Sequence, residues 1–238
     1  MSIRLHVIVE GETEERFVKN VLSSYLGEIG VWASARRVLT SRNRRRGLEY
    51  RGGFRRTGAY STVQADICTW MKQDRNPEAR FTTMFDLYGL PNDFPGTSEA
   101  AVEADPYRRV AVLEEALGAD IRQERGNDNR FVPYIQLHEF EALILADPRR
   151  LDWEFLEHDE PIRRLTEMVE REGGNPELID DGPTTAPSKR IIAEISEYAN
   201  RKATAGPLVV EKIGMAALLR RCGHFREWVQ KLENLTAG

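Results

Sequence analysis

A largely apolar run, Leu5 to Val9, stops at Glu10-Gly11, and residues with helical spacing follow at once: Phe17, Val18, Val21, Leu22 and Tyr25. The spacing predicts a buried β-strand, a tight turn and an amphipathic helix, the opening unit of an α/β sheet. That order puts the Glu10 carboxylate at the carboxyl end of a buried strand, the edge at which ligands collect in open α/β sheets. Two readings are open for it. Glu10 is either a solvated residue at a strand end or a buried acid matched by a divalent cation.

The same alternation continues. Strand patterns fall at 3–9, 31–39, 80–86 and 130–137. Between them, residues 59–74 carry Val63, Ile67, Trp70 and Met71 on one helical face, and 98–122 carry Ala101, Val110, Leu113 and Leu117 with a break at Asp105-Pro106. Strands that alternate with helices predict a largely parallel sheet flanked by helices. Beyond about residue 147 only helical patterns remain: 152–173 interrupted at Pro161, then about 187–201, 207–221 and 223–235. The expected organisation is an α/β core over 1–147 and a C-terminal helical extension over 148–238 that packs on it.

No apolar stretch is long enough to span a bilayer, and Cys68 and Cys222 belong to no metal or redox spacing, so a cytoplasmic protein without a membrane partner is expected. The net charge of -4 conceals a basic cluster. Between Arg42 and Arg56 lie seven arginines (Arg42, Arg44, Arg45, Arg46, Arg51, Arg55 and Arg56) and one acid, Glu49. The segment shows neither helical nor strand periodicity and reads as a loop. Its arginines suit phosphates, and Tyr50 and Phe54 suit stacking on bases. The plainer alternative is a solvated loop.

Further acids fall at matching places. Thr13 suits a helix cap, with Glu14 and Glu15 in the first turn, where the helix dipole favours them. Phe81 to Asp86 is a second strand that ends in an acid, closed by Gly89 and Pro91. His138, Glu139 and Glu141 close the fourth strand. A helix there puts His138 and Glu141 on one face, whereas an extended chain aligns Glu139 with Glu141. Pro187 suits a first helical position, which places Lys189 and Arg190 in a first turn against the dipole by roughly 0.3–1 kcal/mol each. An anion nearby would offset that cost.

The stretches Val9-Glu-Gly-Glu-Thr-Glu14, Phe85-Asp-Leu-Tyr-Gly-Leu-Pro91, His138-Glu-Phe-Glu-Ala-Leu143, Thr185-Ala-Pro-Ser-Lys-Arg190 and Cys222-Gly-His-Phe-Arg-Glu-Trp228 span nearly the whole chain. Over residues 1–147 they resemble the Toprim domain, the metal-binding α/β module of topoisomerases, primases and several nucleases. The full set resembles a bacterial Toprim-like family, a numbered domain of unknown function. It is related in turn to the overcoming-lysogenization-defect nucleases. The resemblance implies Mg²⁺ or Mn²⁺ held by Glu10, Glu14, Asp86, Glu139 and Glu141. It also implies Glu10 as a general base, Lys189 as a transition-state cation, and the basic loop and Arg190 as contacts to DNA or RNA. The implied reaction is metal-dependent phosphodiester hydrolysis, possible within a phage-defence system that has an ATPase partner. The alternative is a non-catalytic nucleic-acid-binding subunit that regulates that ATPase. Tyr88 stands where the nucleases carry the second acid of an Asp-x-Asp pair, which leaves one or two ions open.

Overall fold

The computed structural model describes residues 2–43, 45–54, 59–179 and 185–236, with only the main chain at 42 and 43. Strand β1 (Ile3–Val9) leads through Glu10 and Gly11 into α1 (Glu12–Phe17), a π-helical turn (Val18–Leu22) and α2 (Ser23–Gly27). Next come β2 (Val31–Arg37), a hairpin of β3 (Leu39–Asn43) and β4 (Leu48–Arg51), α3 (Tyr60–Gln73) and β5 (Ala79–Asp86). Helices α4 (Thr97–Ala100) and α5 (Pro106–Glu124) precede two short strands, β6 (Phe131–Val132) and β7 (Ile135–Gln136), and α6 (Glu141–Ile144). The remainder is helical: a 3-10 segment (Pro148–Trp153), α7 (Asp159–Arg171), α8 (Pro187–Glu194), α9 (Lys202–Ile213), α10 (Met215–Arg221) and α11 (Gly223–Glu233).

The main sheet runs β2-β1-β5-β6, with β7 also on β5, and every pairing in it is parallel. This is the expected mixed α/β architecture, with a mostly parallel sheet flanked by helices. β1 is central, and its side chains alternate between two cores. Leu5, Val7 and Val9 face a core shared with α1, α6 and the helices from α7 to α11, whereas Ile8 faces α3 and α5. A strand covered on both faces has to be apolar at nearly every position, which is why Leu5–Val9 reads as a continuous run.

Four local expectations are corrected. The basic segment after Leu39 is partly a β-hairpin rather than a loop. Most of its described side chains are exposed, so no buried face imposes an apolar alternation. The fourth strand, expected over 130–137, is broken at Pro133, which has no N–H to donate. Across the break the Thr83 hydroxyl accepts from Tyr134 N (2.9 Å) and donates to Tyr134 O (2.8 Å). Pro161 does not interrupt a helix, because α7 begins at Asp159 and places Pro161 in its first turn, where an N–H has no intrahelical acceptor. Helix α9 starts at Lys202, so Pro207 lies inside it instead of opening a helix. The lost hydrogen bond there is offset by burial of Ala205, Gly206 and Pro207.

The C-terminal helices close the first core. The Trp228 indole is 1% exposed, stacks on Tyr134 at 4.2 Å between ring centroids, and donates to Thr82 Oγ1 of β5 at 2.9 Å. No helix among the described residues is long and apolar enough to cross a membrane. Trp228→Ala empties a large buried site and removes the donor to Thr82 Oγ1, so it is expected to lower stability by about 3–5 kcal/mol. Urea unfolding checks this, and a loss below about 1 kcal/mol would contradict the packing described.

Candidate metal centre

Three adjacent strands deliver acids to one edge. In the parallel register Val9 pairs with Met84, and Asp86 pairs with Gln136, so β1, β5 and β7 end side by side. Glu10 follows β1, Asp86 ends β5, and the chain after β7 turns through His138 to Glu139 and Glu141. His138 takes the left-handed conformation (φ 61°), unusual for a non-glycine residue. Its ring is fixed at both nitrogens: Nε2 donates to Glu177 O (2.9 Å), and Nδ1 accepts from the Tyr88 hydroxyl (2.7 Å) in the neutral ring. The chain is thereby turned so that Glu139 precedes α6 and Glu141 opens it.

Each acid is placed by specific local chemistry. The Glu10 carboxylate accepts from the main-chain N–H of Asp86 (3.2 Å) and of Phe54, and it lies against the main chain of Gly89. A Cβ at residue 89 would stand 2.5 Å from Glu10 Oε2, so any larger residue there would displace the carboxylate. Glu14 reaches back to the Gly11 N–H at 2.7 Å, and that bond moves the start of α1 to Glu12. Thr13, expected as the cap, is therefore inside the helix. Glu139 Oε1 accepts from Ser188 N and so caps α8, while Glu141 Oε1 accepts from the Tyr198 hydroxyl (3.1 Å) and Lys202 Nζ (3.3 Å).

Electrostatics sets these acids apart. Burial, reinforced by the Glu14 charge, pushes Glu10 up to about 8, and burial pushes Glu14 up to about 7. Asp86 is raised well above the usual carboxylate range by burial and by the charges of Glu14, Glu10, Glu141 and Glu139. Glu141 is raised by burial and by Glu139, against the opposing charge of Lys202. Asp86 Oδ1 is buried and has no hydrogen-bond partner. A buried carboxylate oxygen without a donor, surrounded by other carboxylates, is a costly arrangement that a hard cation would relieve. Among the described residues, no three His, Cys, Asp or Glu side chains form a ready-made coordination set. Oxygen donors of this kind are the chemistry that Mg²⁺ or Mn²⁺ takes, and Glu10, Glu14, Asp86 and Glu141 are the acids that would have to draw together to hold such an ion.

The other expected residues are distributed differently. Lys189 is exposed, lies in α8 and forms no ion pair with these acids; the lysine that does is Lys202. No sequence pattern marks Lys202 and Tyr198, which belong to a helical stretch of ordinary composition. Arg45 and Arg46 are exposed at the hairpin turn. Arg51 is directed to Asp66 (3.1 Å), a buried acid that also takes Arg36 and the Leu39 N–H. Arg190 donates to Thr185 O. Arg44, Arg55, Arg56 and the side chain of Arg42 lie outside the described residues. Tyr50 is 51% exposed, but Phe54 packs edge-on against Phe85 at 4.8 Å, so only Tyr50 of that pair presents a face.

Fold and site define a parallel-sheet α/β protein with converging acids at the carboxyl edge of its strands. The chain belongs to the family described as Domain of unknown function (DUF4276), whose profile matches residues 9–233. It is similar to a solved structure, the C-terminal region of the Burkholderia pseudomallei OLD protein, at 13% identity and a TM-score of 0.42, with 98% of each chain covered. A search of curated proteins found no significant match.

The raised acids give a signed expectation. Their folded-state values exceed the unfolded ones, so the stability they contribute is full below about 4.5 and is lost as pH rises through about 7 to 8. In EDTA the melting temperature is therefore expected to fall between pH 5 and pH 8. Millimolar Mn²⁺ is expected to restore it more strongly at pH 8 than at pH 5.5. A flat profile, or an equal response at both pH values, would contradict the site.

Proposed function

We propose that this protein is a Toprim-type, Mg²⁺- or Mn²⁺-dependent phosphodiesterase that acts on DNA or RNA. The observation that carries the reading is the partnerless, buried Asp86 Oδ1 among Glu10, Glu14, Glu139 and Glu141. A bound divalent ion would supply Lewis-acid stabilisation of the charge that develops on a phosphodiester under attack.

The chain's own residues supply the rest. Glu10, Glu14 and Asp86 would hold the ion, and Gly89 gives the Glu10 carboxylate the room to sit against its main chain. Glu139 and Glu141 set the charge on the far side of the cluster. Lys202 balances Glu141 and would neutralise a phosphoryl oxygen of the bound strand. The hairpin arginines Arg45 and Arg46 and the exposed Tyr50 offer charge and a stacking face to the strand. Lys189 in this reading contacts backbone phosphate beside the site, because it has no contact with the acids.

One observation favours a second reading, a nucleic-acid-binding subunit that regulates an ATPase partner, in phage defence or elsewhere. The Tyr88 hydroxyl is committed to His138, so this position supplies no second acid at the end of β5. Cleavage assays separate the two readings. With Mn²⁺ and mixed single- and double-stranded DNA and RNA, Glu10→Gln and Asp86→Asn are each expected to lower cleavage by at least about 100-fold. Both variants should retain the fold by circular dichroism. Wild-type protein that binds nucleic acid but does not cleave, alone or with the ATPase, would support the regulatory reading instead.

A further inference from the structure

Helices α7 and α8 flank a groove of about 460 Å³ that lies outside the acid cluster and shares only Lys189 with the reading above. Its cations are Arg164 and Arg171 from α7 and Lys189 and Arg190 from α8; Glu172 and Glu194 are its acids. Arg164 pairs with Glu194 at 2.7 Å. Among the described residues no carboxylate pairs with Arg171, Lys189 or Arg190. The groove thus carries a surplus of positive charge among its lining residues, with Leu165 and Met168 as its apolar members.

Its position is set by the acid cluster. Ser188, whose N–H is taken by Glu139, immediately precedes Lys189 and Arg190, so the groove begins beside Glu139. Arg164 and Arg171 are two turns apart, about 10.5 Å along α7. One strand of a duplex advances about 3.4 Å of helix axis per phosphate, so the separation of the two arginines exceeds a single backbone step. A small free anion needs one such cluster. An elongated row of cations that starts at an acidic site fits a polyanion whose reacting phosphate lies over the acids.

We propose that the groove between α7 and α8 binds the phosphodiester backbone of the nucleic acid, flanking the bond positioned at the acid cluster. This rests on the nucleic-acid reading above, but its test requires neither a metal ion nor cleavage. Binding of a fluorescein-labelled oligonucleotide, single-stranded and duplex, is followed by anisotropy in EDTA over a range of salt. Arg164→Ala/Arg171→Ala is compared with wild type and with Arg108→Ala/Arg122→Ala, two exposed arginines of α5. The groove variant is expected to bind more weakly, with a log–log salt slope shallower by about 1.4 for a single strand or about 1.8 for a duplex. The α5 pair should leave the slope unchanged. Glu172→Gln, which removes a repelling charge without touching an ion pair, is expected to tighten binding. Equal losses in the two arginine pairs, no change in the groove variant, or no binding by wild type would each overturn the assignment. A groove variant with weakened binding in EDTA would uphold it even if cleavage were never observed.

Discussion

The constraint on which the structure turns is the burial of several carboxylates at one edge of a parallel sheet. Like charges in a low-dielectric setting repel one another and lose hydration, which is why Glu10 and Asp86 hold their protons far above the usual range. The surrounding chain is shaped to accept this. Gly89 leaves room for the Glu10 carboxylate, Gly11 gives its N–H to Glu14, and His138 accepts a left-handed backbone to bring Glu139 and Glu141 round.

Other buried acids in the molecule show what ordinary structural service looks like. Glu177 is fully buried and accepts from His224 N, Phe225 N and the Tyr107 hydroxyl, which caps α11 and ties it to α5. Glu114 accepts from Ile135 N at 2.8 Å and meets the His224 ring at 2.9 Å. Asp66 takes two arginines and a main-chain N–H. Each of these has donors for its charge. Asp86 Oδ1 has none, a state it shares with Glu78 Oε2, but only Asp86 is also surrounded by the charges of Glu10, Glu14, Glu139 and Glu141.

The sheet was legible because β1 and β5 are buried on both faces and end in turn chemistry, so Leu5 to Val9 and Phe81 to Phe85 appear as runs without acids or basic chains other than His6, each stopped by an acid. The convergence of Glu10 with Asp86 followed from those two strand ends. The hairpin was not legible, since a strand pair with no buried face imposes no alternation on Arg42 to Arg51. The role of Tyr198 and Lys202 was hidden for a different reason. Their contact with Glu141 spans some sixty positions of sequence and depends on how α9 packs against α6. The motif around His224 and Trp228 was visible as a motif, but its work is structural, a helix cap and a core stack, and only tertiary contacts reveal that.

The most direct measurement is calorimetric titration of Mn²⁺ into the protein at pH 7.5, in two buffers with different ionisation enthalpies, for wild type and Asp86→Asn. Acids that hold protons near neutrality must release them to a cation, so wild type is expected to bind with release of on the order of one proton per ion. Asp86→Asn should lose both the binding and the release. No binding by wild type, or binding that Asp86→Asn leaves intact, would contradict a cation site at the edge of the sheet.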